Sequence, residues 1–237
     1  MNEKTATFQF LGLTFNVGNM VSVLLACVVV FCVVFALSRH ITMKPGKGQN
    51  VLEWLVDFTN GIVRSALSGK VANDLGLWGF TTFLFILISN LQGLLLQVDV
   101  SGVTYVKSPT ADPIITMTFA LLTLTLAQYL GIRKNGYKQH FLSYFKPFKV
   151  FVIVNIFEEF TNFLTLGLRL FGNIFAGEML LGIITKMAVG GGPLMWVVSL
   201  PLSLAWQGFS VFIGCIQAFI FVTLSSVYIS HKVDIEE

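Results

Sequence analysis

FVIVNIFEEFTNFLTLGLRLFGNIFAGEMLLGIITKMAV, Phe151 to Val189, contains no proline and is apolar over most of its length. As a single helix these 39 residues would measure close to 60 Å at about 1.5 Å per residue. That is roughly twice the hydrocarbon thickness of a bilayer. Such a helix cannot stand upright in lipid, so it is either steeply tilted or partly interfacial. After the turn GGGP (Gly190–Pro193), Leu194 to Ser230 repeats the situation, with Pro201 as the one position where a kink is expected. The pair predicts two long, slanted helices forming an antiparallel hairpin.

Composition requires the bilayer. Hydrophobic residues make up 55% of the 237 positions, charged residues 11%, and the mean hydropathy is +0.79, whereas soluble domains carry roughly 25% charged residues. Val17 to Ser38 has no charged residue and is long enough to span. Its apolar run is too long for the core of a cleaved signal peptide, and no small-residue cleavage site follows, so it is expected to remain in the mature protein. Further spans are predicted at about 75–98 and 114–132, with the hairpin at 151–230. VLEWLVDFTNGIVRSAL, from Val51, alternates Leu52, Leu55, Val56, Ile62 and Val63 with Glu53, Asp57, Asn60 and Arg64, the pattern of an amphipathic helix (51–68) lying on the membrane surface. The fold class is therefore an all-α polytopic membrane protein forming one membrane domain over 1–237. It has about five embedded helices and a surface helix, the last two helices long and steeply tilted.

The net charge of +3 does not form a nucleic-acid patch. Arg39, Lys44, Lys47, Arg64 and Lys70 follow the first span, and Arg133, Lys134, Lys138, Lys146 and Lys149 follow the third. The loop between the second and third spans has only Lys107. This asymmetry places both basic loops in the cytoplasm, the N-terminus outside and the C-terminus inside. Cys27, Cys32 and Cys215 lack metal-ligand or redox spacing and read as small core residues. No metal or cofactor is implied.

At 100° per residue, Glu158, Asn162, Thr165, Arg169 and Asn173 fall within about 40° of one line. Glu159 lies about 80° off it near the inner end, and Glu178 lies on the opposite face toward the outer end. Ser203, Gln207, Ser210, Gly214 and Gln217 form a second stripe on the following helix. Gly167, Gly172, Gly177 and Gly182 are expected to permit close helix approach, and Lys186 to snorkel. Arg169 lies mid-segment, where burying it costs about 3 kcal/mol on insertion scales. A partner anion or a water-filled cavity is expected there. Arginine does not titrate in proteins, so Arg169 cannot relay protons, but it can force a passing carboxylic acid to release one. Glu178 on the outer side and Glu158 or Glu159 on the inner side would serve two aqueous half-channels. The chain lacks the shuttling carboxylate, which implies a second protein.

LRLFGNIFAGEMLL (Leu168–Leu181), FSVFIGCIQAFIFVTLSSVYI (Phe209–Ile229) and SPTADP (Ser108–Pro113) resemble subunit a of bacterial F-type ATP synthases over essentially the whole chain. The resemblance implies that Arg169 faces the carboxylate of a rotor ring and that Gln217 lies beside it. It also implies that Asn173 and Glu178 line the proton path. Some members carry histidine where this chain has Ser210, so water or Glu178 would serve there. The implied partners are a ring of small hairpin subunits, a peripheral stalk and, indirectly, the soluble catalytic sector; the implied location is the bacterial plasma membrane. The chain itself would be non-catalytic.

Two other classes fit less well. EEFTN at Glu158-Glu159 is similar to the paired-glutamate motif of an intramembrane protease family. That family needs an arginine where this chain has Phe163, and it needs intramembrane histidines, whereas His40, His140 and His231 are expected in loops or the tail. A self-contained secondary transporter would show internal repeats and broken helices, and neither is evident.

Overall fold

The structure, a computed structural model, describes residues 7–10, 13–39, 41–96, 98–100, 103–145, 148, 150–190 and 192–234. His40, Lys146, Lys149 and Gly191, placed in loops by the sequence reading, lie outside the described residues. A short antiparallel hairpin, β1 (Thr7–Phe10) and β2 (Leu13–Asn16), precedes α1 (Val17–Ser38) and α2 (Lys47–Ala66). Next come α3 (Gly69–Leu95), a second hairpin of β3 (Val98–Val100) and β4 (Val103–Val106), and a single 3-10 turn at Pro109–Ala111. The chain continues with α4 (Pro113–Asn135), the short α5 (Tyr137–Ser143), α6 (Phe151–Gly190) and α7 (Gly192–Val233). Among the described residues, five helices (α1, α3, α4, α6 and α7) are long and apolar enough to cross a membrane. The protein is an all-α polytopic membrane protein.

Local chemistry accounts for the boundaries. The Asn16 side chain accepts a hydrogen bond from the Gly18 backbone N–H at 3.0 Å, capping the first turn of α1. Arg133 and Lys134 lie in the last turn of α4, where the helix dipole favours cations. Gly136, with φ +79°, lets the chain leave α4 and enter α5 at once, and Gly192, with φ +75°, does the same between α6 and α7. The helix of the second span ends at Leu95 rather than near 98. The reason lies in Val98, Val100, Val103, Thr104 and Val106, β-branched residues that pair as antiparallel strands instead of extending the helix. Its start falls at Gly69, so the polar Asn73 and Asp74 lie within it. The α7 helix continues through Pro201, as transmembrane helices permit.

With 40 residues in α6 and 42 in α7, each helix is about 60 Å long, so neither fits upright within about 30 Å of hydrocarbon. The outer surface suits lipid. On α1, Leu24 and Phe31 are 67% and 68% exposed, which a water-soluble domain would avoid in such density. Cys27, Cys32 and Cys215 are exposed rather than in the core. A thiol is apolar enough for a lipid-facing position, so burial is not demanded of it.

The described chain divides into two units. The first gathers the described residues of Met1–Ala36, Leu84–Asp112 and Leu170–Ala218. Its interior contains a polar cluster at the foot of the second hairpin. Asn90 Nδ2 donates to the Gly214 carbonyl at 3.1 Å, and the Thr110 hydroxyl donates to Asn90 Oδ1 at 2.8 Å. Ser108 bonds both Thr110 and the Ser89 carbonyl. Burying hydroxyls and an amide in an apolar surround is tolerable only when they pair in this way. The second unit comprises Leu37–Phe83, Pro113–Arg169 and the described residues of Phe219–Glu237. In its core Val63, Ala120, Val222 and Ile229 are fully buried. A side chain at Gly79 would meet Val63 at 2.7 Å, and one at Gly167 would meet Met117 at 2.5 Å, so both glycines mark close approach. Gly172 and Gly182 do not. A Cβ there would meet nothing within 4 Å among the described residues, so the glycine spacing on α6 is only partly a packing seam.

Candidate functional site

The polar residues of α6 lead to two cavities, each built within one unit. One, of about 380 Å³ and on the side that the basic loops predict to be cytoplasmic (the inner cavity), is lined in part by Glu158, Glu159 and Asn162 of α6, Tyr144 after α5, and His231 and Lys232 of α7. Glu159 is half-buried and heavily engaged. Its Oε1 accepts hydrogen bonds from the Tyr144 hydroxyl at 2.6 Å, from Lys232 Nζ at 2.6 Å and from Gln128 Nε2. Lys232 Nζ also donates to the Tyr144 oxygen at 3.1 Å and stands 4.4 Å over its ring. Glu158, its neighbour, is exposed to the cavity, and among the described residues it makes no hydrogen bond or ion pair.

Behind this cluster His140 is 2% exposed. Because Gln128 Nε2 is committed as a donor to Tyr144 and Glu159, its Oε1 faces His140 Nε2 at 2.6 Å, and the ring must donate from Nε2. Among the described residues His140 Nδ1 has no hydrogen-bond partner. A Cβ at Gly131 would meet this ring at 2.8 Å and the Lys232 carbonyl at 2.7 Å, so only glycine allows α4 to pass here. The histidine expected in a loop is therefore a buried member of α5, and His231 belongs to the last turn of α7.

Burial, reinforced by the Lys232 charge and opposed by Glu159, pushes the His140 pKa below its ordinary 6.5. Burial, with the Glu159 hydrogen bond, pushes Tyr144 up, so its hydroxyl remains a donor. The unfolded chain would protonate His140 near pH 6.5 while the folded chain resists. The corresponding stability is therefore full above that pH and is lost as pH falls through the lowered folded value. Nitrogen NMR of ring-labelled protein in detergent is expected to show His140 neutral and protonated on Nε2 at pH 6.5; an imidazolium at that pH would contradict this placement.

The other, toward the end of α6 that the basic loops predict to be outside (the outer pocket), is smaller, about 70 Å³, and gathers Asn173, Gly177 and Glu178 of α6 with Trp206, Phe209 and Ser210 of α7. Trp206 Nε1 donates to the Gly177 carbonyl at 3.1 Å, and the Ser210 oxygen would lie 3.8 Å from a Cβ at Gly177. These contacts hold α6 and α7 close at Glu178, which is half-buried. Gln217, further along α7, is 6% exposed.

Arg169 lines neither cavity. It is half-buried and, among the described residues, has no hydrogen-bonded or ion-paired partner. In sequence it sits between the residues of the inner cavity and those of the outer pocket.

The sequence reading missed Gln128, Tyr144, His140, Lys232 and Trp206. Gln128 offered a signal, as a polar residue in the apolar run of α4. Lys232 and Tyr144 offered none, because each reads locally as an ordinary flank of a basic loop or tail.

Comparison with known proteins gives a consistent result. The family described as ATP synthase A chain matches residues 20–230. The chain is similar to proteins named ATP synthase subunit a from Pediococcus pentosaceus, 56% identical over 99% of both chains, and from Limosilactobacillus fermentum, 52% identical over 98% of this chain and 99% of the relative. The one from Enterococcus faecalis is 46% identical over the whole of both.

Proposed function

The chain belongs to the ATP synthase A chain family, and from that premise we propose that it is the stator of a rotary ion path in the bacterial plasma membrane. It is a multi-pass, ion-translocating subunit of an ATP synthase membrane sector and is not itself catalytic. The finer reading rests on one observation: α6 contributes Glu158 and Glu159 to one cavity and Glu178 to another, and between them in sequence stands Arg169, a permanent cation with no hydrogen-bonded or ion-paired partner among the described residues.

In this reading the outer pocket, with Glu178, Asn173 and Ser210, delivers ions to carboxylates on a ring of small hairpin subunits. The inner cavity, with Glu158, Glu159 and Asn162, removes them. Arg169, helped by Gln217, separates the two paths. A protonated ring carboxylate can face lipid as a neutral group, but beside a fixed guanidinium its charged form is favoured and the proton leaves. The cation also blocks direct passage between the cavities, so ions cross only by riding the ring. Each elementary charge crossing 100 mV supplies about 2.3 kcal/mol, which rotation would carry to the soluble catalytic sector while a peripheral stalk holds this chain still. The N-terminus lies outside and the C-terminus inside, following the basic loops.

Isolation from native membranes in mild detergent tests the assignment. The chain is expected to co-purify with a ring of small hairpin subunits. A monomer that conducts protons alone in vesicles would overturn the reading in favour of a self-contained transporter.

A further inference from the structure

Two adjacent glutamates stand at the inner cavity, and the geometry treats them differently. Glu158 lies within about 20° of the Arg169 line on α6, opens onto the cavity and has no hydrogen-bonded or ion-paired partner among the described residues. Glu159 is turned about 80° away, and its Oε1 is already occupied by donors from three other segments: Gln128 of α4, Tyr144 after α5 and Lys232 of α7. Three donors on one oxygen, one of them a cation, favour the ionised carboxylate whichever oxygen a proton approaches, and they hold the group in place. We infer that the pair divides the work: Glu158 is the group that exchanges protons at the inner cavity, while Lys232 and Tyr144 clamp Glu159 as a positioning residue that fixes the cavity wall. This rests on the half-channel reading above.

The clamp has the connections such a role requires. It joins the inner ends of α4, α6 and α7 at one oxygen, and a second set of bonds runs beside it. Asn135 Nδ2 donates to the carbonyls of Lys232 and Val233 at 3.2 and 3.1 Å, and Lys134 pairs with Asp234 at 2.6 Å. The end of α7 is thus anchored through its backbone even without the Lys232 ammonium, so loss of that side chain loosens the cavity wall without releasing the helix. The charged and titratable groups around Glu158 are Glu159 on its own helix, Tyr144 after α5, Tyr228, His231 and Lys232 on α7, and Asp234 beyond it.

The test uses the whole ATP synthase in reconstituted vesicles, with ATP-driven proton pumping measured between pH 6 and 9. Glu158→Gln is expected to lower pumping by about tenfold and to flatten its pH profile, while Glu158→Asp restores most of the rate, as for a group that exchanges protons. Lys232→Met and Glu159→Gln are each expected to cost about two- to threefold with the pH profile unchanged, and the double variant no more than either alone, because both remove one contact. A Glu159→Gln loss equal to or greater than that of Glu158→Gln, or additive losses in the double variant, would overturn the division. An Arg169→Ala control separates the levels. If it pumps normally, the half-channel reading fails; if it is inactive while Glu158→Gln behaves as wild type, only this inference fails.

Discussion

Arg169→Ala is expected to abolish ATP-driven proton pumping by the assembled enzyme while leaving assembly intact. A half-buried guanidinium in a membrane helix is costly to insert, about 3 kcal/mol on insertion scales, and this one has no compensating partner among the described residues. The chain thus retains a charge whose stabilising anion must come from elsewhere, and in the proposed reading it comes from each ring carboxylate in turn. In that reading, loss of the cation leaves nothing to favour the ionised carboxylate at the stator and nothing to keep the two ion paths apart. Passive proton leak through the membrane sector is the expected companion of lost pumping. Arg169→Lys is not expected to rescue, because a compact ammonium that can lose its proton replaces a planar, permanently charged fork. Pumping into inverted vesicles, read with a pH-sensitive dye, measures both variants.

The second large effect is expected at Glu178. It shares a pocket of about 70 Å³ with Asn173 and Ser210, walled by Phe209 and by Trp206, whose indole is tied to the Gly177 carbonyl. In the proposed reading, the one carboxylate of this small, mostly apolar pocket is the principal proton carrier on its side. Glu178→Gln keeps size and hydrogen bonding but cannot exchange a proton. Proton-driven synthesis should fall on the order of 100-fold, the lower end for loss of a positioned proton-transfer group, with ATP hydrolysis by the soluble sector unaffected. Glu178→Cys should react with a water-soluble thiol reagent added from the outer side, whereas a thiol inert from both sides would remove the outer path from this pocket.

The membrane character of the fold was legible because hydropathy and length are local quantities. Val17–Ser38 holds no charge, and the proline-free run from Phe151 is too long for an upright span; the structure has helices at Val17–Ser38 and Phe151–Gly190. The hairpin at Val98–Val106 was hidden because its valines are as apolar as the helix they follow, so hydropathy alone extends the span through them. The two arms of the site were legible unequally. Helical phase separates Glu178 from the Arg169 stripe and Glu159 from Glu158 at the level of the sequence. The partner that occupies Glu159 was not legible, because Lys232 and Tyr144 reach it only once four segments have packed. His140 likewise looked like a loop residue until α5 folded against Gly131.

The central claim is that ions cannot pass this chain except by way of the ring and Arg169. The most direct measurement is ATP synthesis by the Arg169→Ala enzyme in sealed vesicles under an imposed proton gradient and potential, beside wild type in the same preparation. The account predicts no synthesis above the uncoupled background, with the gradient decaying at least as fast as in wild type; synthesis at the wild-type rate would contradict it.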